Sequence, residues 1–315
     1  MWLQHADRVL EQAHSTRAAA TSRLAASWRR SAVTYGLDPR NNCAPDRLEA
    51  AKIRQKRDAM GAFLALANPQ LDQLFRMVGA TGSCVLLTDA DGVVLEERCA
   101  DSDRHVFQRW GLWSGAVWSE QAEGTNGIGT CLAEKRQVVI HKDEHFLSRN
   151  TGMSCMDAPI FGANGEVLAA LDVSSCRADQ TEGLTRLIAS AVAQTARQIE
   201  TAHFRASFAG ARFVDVGADR PDETMLLAVD SDDLVVGATR AARRKLGLGT
   251  DSFTNPRPTP DVLGLSDESA GLDQAERAAL RRALARSGGN ASAAARELGI
   301  GRATLYRRMK RLGLG

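Results

Sequence analysis

Residues 272–315 carry ten Arg or Lys against three acids, a local net charge of +7. The whole chain carries +2, so the remainder sums to +2 minus +7, or −5. A compact basic tail on a mildly acidic body suits a polyanion such as duplex DNA. A solvated basic helix would give the same count, so spacing must decide. At about 100° per residue, Leu305, Met309 and Leu312 share one helical face, and Ala303, Thr304, Arg307, Lys310 and Arg311 lie roughly opposite. Arg302, at the N-terminal end, can reach furthest into a major groove, where Arg pairs bidentately with guanine. Thr304, Tyr306, Arg307 and Arg308 suit phosphates, which position a helix without reading sequence. Asn290 and Ser292, opening the preceding helical piece, complete the candidate DNA-contacting set. A generic amphipathic helical hairpin is the bland alternative.

A second set of reactive side chains lies mid-chain. Six cysteines, Cys43, Cys84, Cys99, Cys131, Cys155 and Cys176, include no C-x-x-C pair. Free thiols, most of them buried, are expected rather than disulfides or zinc ligands. His141, His145, Cys131 and Cys155 could gather around a metal, but isolated His and Cys at this spacing are more often packed or hydrogen-bonded. No metal or cofactor is expected. A thiolate nucleophile at Cys131 or Cys155 would need a cationic neighbour, which His141 or His145 could supply, yet no clear resolving pair exists. Gly124, Gly127 and Gly129 could cradle a phosphate. Their spacing departs from G-x-G-x-x-G, and a glycine-shaped helix start is the other reading. Trp110, Trp113 and Trp118 could wall a pocket or fill a core. Cys155 and Asp157 flank the start of a strand and could face a ligand. The candidate ligand-binding set is Trp118, Glu123, Asn126, Cys131, His145, Cys155 and Asp157.

These groups need elements to hold them. The first 80 or so residues read as helices, broken at Tyr35-Gly-Leu-Asp-Pro39, where the proline disfavours helix before it. Apolar runs then flank Asp89-Ala-Asp-Gly92 and Gly162-Ala-Asn-Gly165, two hairpin signatures. Residues 137–140 read as a strand, and residues 178–208 as a long helix with Leu184, Ile188, Val192 and Ile199 on one stripe. Strands enclosed by helices make an α+β domain. Residues 210–250 form a short unit of two strand-like runs and a basic helix, and residues 250–261 a linker. At the end, Gly288-Gly289 stops one helix and Asn290 caps an alanine-rich second. Gly299-Ile300-Gly301 then turns the chain into the basic third: a helix-turn-helix. No apolar run approaches the roughly 18 residues that span a bilayer, and the N-terminus is no secretory signal. A cytoplasmic protein without membrane association is expected.

Residues 290–313 closely resemble the Fis-type helix-turn-helix that ends many bacterial enhancer-binding regulators. Glu123-Gly-Thr-Asn-Gly-Ile-Gly-Thr-Cys-Leu-Ala-Glu134, Glu144-His-Phe146 and Met153-Ser-Cys-Met-Asp-Ala-Pro-Ile160 resemble the GAF domain of acetoin-catabolism-type regulators. Ser27-Trp28-Arg29 and Tyr35-Gly-Leu-Asp-Pro39 match their helical lead-in, and residues 225–248 resemble the reduced PAS-like piece that follows. The resemblance implies a helical lead-in over 1–60, a GAF-like sensory domain over 61–205, a PAS-like remnant and linker over 206–265, and the DNA-binding domain over 266–315. It implies a six-stranded-type antiparallel sheet with helices on its faces and a small-molecule pocket on one side. It also implies a homodimer on an inverted-repeat operator. Related regulators usually carry a small residue where Asp157 stands, so the effector here would present a donor or a positive group.

One part of that architecture is missing. Such regulators hold an ATPase of about 240 residues between sensor and DNA-binding domain, with a Walker A loop. None of the six lysines, Lys52, Lys56, Lys135, Lys142, Lys245 and Lys310, follows a glycine. Regulation is therefore expected to proceed by recruitment, repression or occlusion, without ATP hydrolysis, with RNA polymerase a candidate partner. Two alternatives compete: a sensor whose input is a partner protein, and a cysteine-dependent GAF-fold sulfoxide reductase.

Overall fold

Serine caps begin the helical lead-in. Ser15 Oγ accepts from the Ala18 amide (3.2 Å) and Ser22 Oγ from that of Ala25 (3.3 Å), separating α1 (Trp2–His14), α2 (Thr16–Thr21) and α3 (Arg23–Arg29). A π-helical turn, Arg30–Thr34, precedes the break at Gly36, and α4 (Ala50–Ala59) and α5 (Gly61–Val78) follow. The computed structural model describes residues 2–177, 179–217, 223–249, 251–265 and 271–314. The expected helix start at 178, linker start at 250 and domain start at 266 lie outside them.

The two hairpin signatures form as expected. They give β1 (Ser83–Thr88) with β2 (Val94–Arg98), and β4 (Ser154–Phe161) with β5 (Val167–Ser175), while β3 (Val138–His141) pairs with β4. All pairs are antiparallel, in the order β2-β1-β5-β4-β3. Five strands stand where a six-stranded type was expected. The segment around Ala116 and Val117 makes only single bridges, to Arg47 and Val93, and adds no strand to this sheet. Short helices occupy the rest of that stretch: α6 (Arg104–Arg109), α7 (Glu120–Glu123) and α8 (Gly127–Glu134).

Alternation divides the sheet into two unlike faces. One presents Met156, Ala158 and Ile160 from β4 with Ala169, Leu171 and Val173 from β5. It packs on α5 and on the 26-residue α9 (Glu182–Ser207), through Leu71, Leu74, Ile188, Val192 and Ile199. The other face lies against α8 and carries Cys155, Asp157, Ala170, Asp172 and Ser174. The lead-in is tied to this body by ions. Arg30 donates to both Glu120 oxygens (2.8 and 2.9 Å) and to Glu134 (3.2 Å), and Ser27 also bonds Glu120.

Beyond α9, three short strands pair antiparallel in the order β6-β7-β8: β6 (Arg212–Asp215), β7 (Leu226–Val229) and β8 (Val235–Ala238). Their small core borrows Phe204 from α9, whose ring lies 5.0 Å from Phe208 and 6.0 Å from Phe213. The short α10 (Arg240–Leu246) and α11 (Asp251–Thr254) complete this part. The fold class is α+β, as expected.

The chain divides into two compact units, Met1–Pro256 and Arg257–Gly315. The second holds α12 (Thr259–Val262), α13 (Leu272–Arg286), α14 (Ala291–Glu297) and α15 (Arg302–Arg311). The expected linker thus contains two helical turns, α11 and α12. Among the described residues no helix is long and apolar enough to cross a membrane.

Candidate nucleic-acid interface and sensor core

The C-terminal unit is built around very small residues. Leu280, Ala283, Ala294, Ala295 and Leu305 form its buried core, with Ile300, Met309 and Leu312 packed against it. Asn290 Oδ1 accepts from the amides of Ser292 (3.0 Å) and Ala293 (3.2 Å), starting α14. Gly299 adopts φ 65°, a left-handed backbone that side chains resist, and so permits the tight turn into α15.

That core decides which side of α15 faces outward. Leu305 is buried; Arg302, Ala303, Tyr306, Arg307 and Lys310 are exposed, and Thr304 is half-buried. Arg302 lies over the Tyr306 ring, 5.6 Å from its centroid, and Arg307 reaches Thr304 Oγ1 at 3.5 Å. Arg308 and Arg311 are employed differently. Arg308 pairs with Glu276 on α13 (3.1 Å), and Arg311 pairs with Glu276 and with Asp273 (3.4 Å). The expected contact set therefore splits in two. Arg302, Ala303, Tyr306, Arg307 and Lys310 form an open cationic face without protein ion pairs among the described residues, while Arg308 and Arg311 brace α15 against α13. Asn290 caps α14 with its side-chain oxygen and Ser292 is half-buried beside it.

The expected ligand set in the first unit also divides. Trp118 Nε1 donates to the Gly111 carbonyl (2.9 Å), Asn126 caps α8 through Gly129 (2.8 Å), and Glu123 pairs with Arg149. Burial lifts the Glu123 carboxyl to about 7 despite that guanidinium. These three have their polar atoms engaged by the local fold. The remaining four converge. His145 is fully buried; its Nδ1 lies 2.9 Å from the Lys142 carbonyl and its Nε2 3.4 Å from Cys155 Sγ. Burial lowers the imidazole to about 4, so it is neutral at physiological pH. Cys131 packs in the same cluster as Cys155, and burial pushes both thiols well up.

Asp157 is the centre of this arrangement. It faces Asp172 directly across the β4–β5 ladder, both side chains fully buried. Neither Asp157 oxygen, nor Asp172 Oδ1, meets a donor from another described residue. A proton held between the two carboxyls is the available partner. Desolvation first and the neighbouring carboxylate second raise Asp157 well above the carboxylate range, while Asp172 stands at about 7. Ser174 Oγ lies 2.8 Å from Asp172 Oδ2 and 3.2 Å from Cys155 Sγ. A polar line His145–Cys155–Ser174–Asp172–Asp157 thus runs through an otherwise apolar face.

Gly127, on α8, covers it. A Cβ there would sit 2.0 Å from Asp157 Oδ2 and 2.5 Å from Cys155 Cβ. Gly124-Thr-Asn-Gly-Ile-Gly129 is therefore a helix start whose glycine lets backbone approach the acid pair. Asp172 and Ser174 were missing from the sequence-derived set. An acid inside the apolar run Val167-Leu-Ala-Ala-Leu-Asp172-Val was the visible signal. Among the described residues no group of three His, Cys, Asp or Glu side chains is arranged to hold a metal.

The chain joins a sheet-and-helix body with a buried polar face to a helix-turn-helix with an open cationic face. Comparisons with known proteins agree. Residues 4–201 match the MimR N-terminal domain family, and residues 271–312 the bacterial regulatory protein Fis family of helix-turn-helix. The chain belongs to the MimR N-terminal domain family. It is 32% identical over 229 residues to the acetoin catabolism regulatory protein of Cupriavidus necator, covering 70% of this chain and 34% of that protein. It is 32% identical over 277 residues to the propane 2-monooxygenase operon transcriptional activator MimR of Mycolicibacterium smegmatis, covering 86% of this chain and 42% of that protein. The chain thus spans between a third and a half of the length of these relatives. The crystal structure of the E. coli DhaR(N)–DhaL complex superposes with a TM-score of 0.52 at 13% identity, over 76% of this chain and 81% of that one, a likeness of fold.

Proposed function

We propose that this protein is a ligand-responsive, sequence-specific DNA-binding transcription regulator that acts without ATP hydrolysis. The observation that carries the reading is the open face of α15. Its apolar side is buried against α13 and α14, and Arg302, Arg307 and Lys310 stand exposed with no carboxylate partner among the described residues. Such a helix suits a major groove, with Arg302 reading guanine and Thr304, Tyr306, Arg307 and Lys310 holding phosphates. Arg308 and Arg311 fix its angle. A cytoplasmic homodimer on an inverted repeat fits this geometry, since paired recognition helices about one DNA turn apart read two half-sites. Regulation without a central ATPase leaves contact with RNA polymerase, or occlusion of it, as the output.

The input is proposed to be a small molecule bound on the α8 side of the sheet. It would displace α8 from the acid pair and contact Asp157, Cys155, Cys131 and His145, with Trp118 as wall and Glu123 and Asn126 shaping the approach. A ligand with a hydrogen-bond donor or a positive charge satisfies the orphaned oxygens of Asp157. Cys131 and Cys155, held protonated by burial, are poor nucleophiles, which supports a non-enzymatic sensor over a sulfoxide reductase. One observation favours a second input. The solved protein of similar fold is in complex with a partner, DhaL, so a protein could act in place of, or with, a metabolite here.

The test is a gel shift of the full chain on DNA upstream of its own gene, at stated salt and with excess random competitor. A discrete complex that resists competitor, and whose affinity changes with an added metabolite, is the expected result. A smear that competitor removes contradicts the reading.

A further inference from the structure

The strongest unassigned feature lies on the opposite side of the sheet from the acid pair. A cavity of about 340 Å³ opens where α9, the end of β4 and the turn before β3 meet α10. Five cations line it: Lys135, Arg136, Arg197, Arg240 and Arg244. Two of them are spoken for, Arg136 by Glu134 (2.5 Å) and Arg244 by Glu223 (2.7 Å). Lys135, Arg197 and Arg240 form no ion pair with any described residue.

Arg240 is held in position without being neutralised. Its guanidinium lies 3.9 Å from the centroid of the Phe161 ring, and one nitrogen reaches the Lys135 carbonyl at 3.5 Å. Desolvation, with Arg244 beside it, lowers its pKa. A guanidinium stacked on an aromatic ring, half-buried and repelled by a second cation, has no ion-pair partner among the described residues and only Glu200 as a nearby acid. Lys135 also lines the cavity, from a left-handed backbone, φ 53°. Two carboxyls line the cavity: Glu223, paired with Arg244, and Glu200, which accepts from the Phe161 amide (3.1 Å). Burial raises it to about 7 against the pull of Arg240 and Arg197, so it does little to neutralise them below that pH.

We infer that this cavity is a binding site for a compact dianion, a phosphate monoester or a dicarboxylate, clamped by Arg197, Arg240 and Lys135. Planar guanidinium forks fit both chemistries bidentately, and the volume falls at the small end of known ligand pockets. The walls come from the sensor helix α9 on one side and from α10, next to the three-stranded sheet, on the other. A bound dianion ties those two parts together, and its site is separate from the effector face proposed above.

The test uses the full chain and sulfate, which stays divalent throughout the pH range used, with inorganic phosphate and malonate to separate tetrahedral from planar ligands. Sulfate also stabilises proteins by exclusion from their surfaces, so the reading is the difference between proteins. The gain in melting temperature over chloride at equal ionic strength is expected to be larger for the wild type than for Arg197→Gln/Arg240→Gln. The Arg186→Gln control, on the same helix outside the cavity, should keep the wild-type gain. Calorimetric affinity for sulfate should drop by about tenfold or more in the double variant. It should also weaken from pH 6 to pH 8 as Glu200 ionises between Arg240 and Arg197. Lys135→Gln, at the exposed rim, should weaken binding with an unchanged fold. A preference for phosphate or for malonate names the ligand class. A wild type that gains no more than the double variant from any of the three anions overturns the inference, as does equal affinity in the two proteins.

Discussion

The two functional regions handle charge in opposite ways. The recognition helix keeps Arg302, Arg307 and Lys310 in solvent, while the sensor core buries Asp157 and Asp172 completely. An exposed cation held by a helix costs the fold almost nothing and is available to any phosphate. A buried acid pair destabilises the ionised state and persists because strand pairing places both carboxyls on one face. The first arrangement suits a site that must be open at all times; the second suits a site that changes when something enters.

Removing the open cations should produce the largest effect. In Arg302→Ala with Arg307→Ala, loss of the base-reading Arg302 is expected to cost about 1–3 kcal/mol of specific binding, and loss of Arg307 to weaken binding to all duplexes alike. Fluorescence anisotropy on an operator duplex measures it, and the melting temperature should not move. Next comes the closed side of the comparison. Gly127→Ala forces a methyl against Asp157 Oδ2 and Cys155, and overpacking of this kind costs about 1–3 kcal/mol, read by urea denaturation. Gly183→Ala, with open space around its Cβ, is the matched control and should not destabilise.

The acid pair has a pH signature. Both carboxyls are raised on folding, so the native state binds protons that the unfolded chain releases. Their favourable contribution is complete below the unfolded carboxylate pKa and is lost as pH rises through the raised folded values, about 7 for Asp172. Asp157→Asn should flatten the decline of melting temperature with rising pH; an unchanged pH profile would show that the pair does not share a proton. The smallest effect is expected at the brace. Glu276→Gln removes the carboxylate shared by Arg308 and Arg311, leaving Arg311 its pair with Asp273, and partly exposed ion pairs contribute only about 0–1 kcal/mol. Stability should fall slightly, and DNA affinity should change far less than on loss of Arg302 and Arg307.

The same contrast explains what could be read from sequence. The helix-turn-helix was legible because its signals are local: the Asn290 cap, the Gly299 turn and the stripe of Leu305, Met309 and Leu312 act within a few residues of one another. Both hairpins were legible from Asp89-Ala-Asp-Gly92 and Gly162-Ala-Asn-Gly165 for that reason. The division of labour within α15 was not, because the pairing of Arg308 and Arg311 with Asp273 and Glu276 spans about 35 residues of chain. Asp172 escaped notice likewise. Its meeting with Asp157 depends on the β4–β5 register, and no spacing along one strand reveals its partner. Trp118, Glu123 and Asn126 drew attention as polar or aromatic groups near a glycine-rich stretch, and their hydrogen bonds serve that stretch's own conformation.

The central claim is that the exposed cations of α15 read a DNA sequence. Selection of duplexes from a random pool by the full chain, compared with its Arg302→Ala/Arg307→Ala variant, tests it most directly. The account predicts enrichment of an inverted repeat by the wild type, with half-sites about one helical turn apart, and no enriched motif for the variant. A wild type that enriches nothing, or a variant that enriches the same motif equally well, would contradict it.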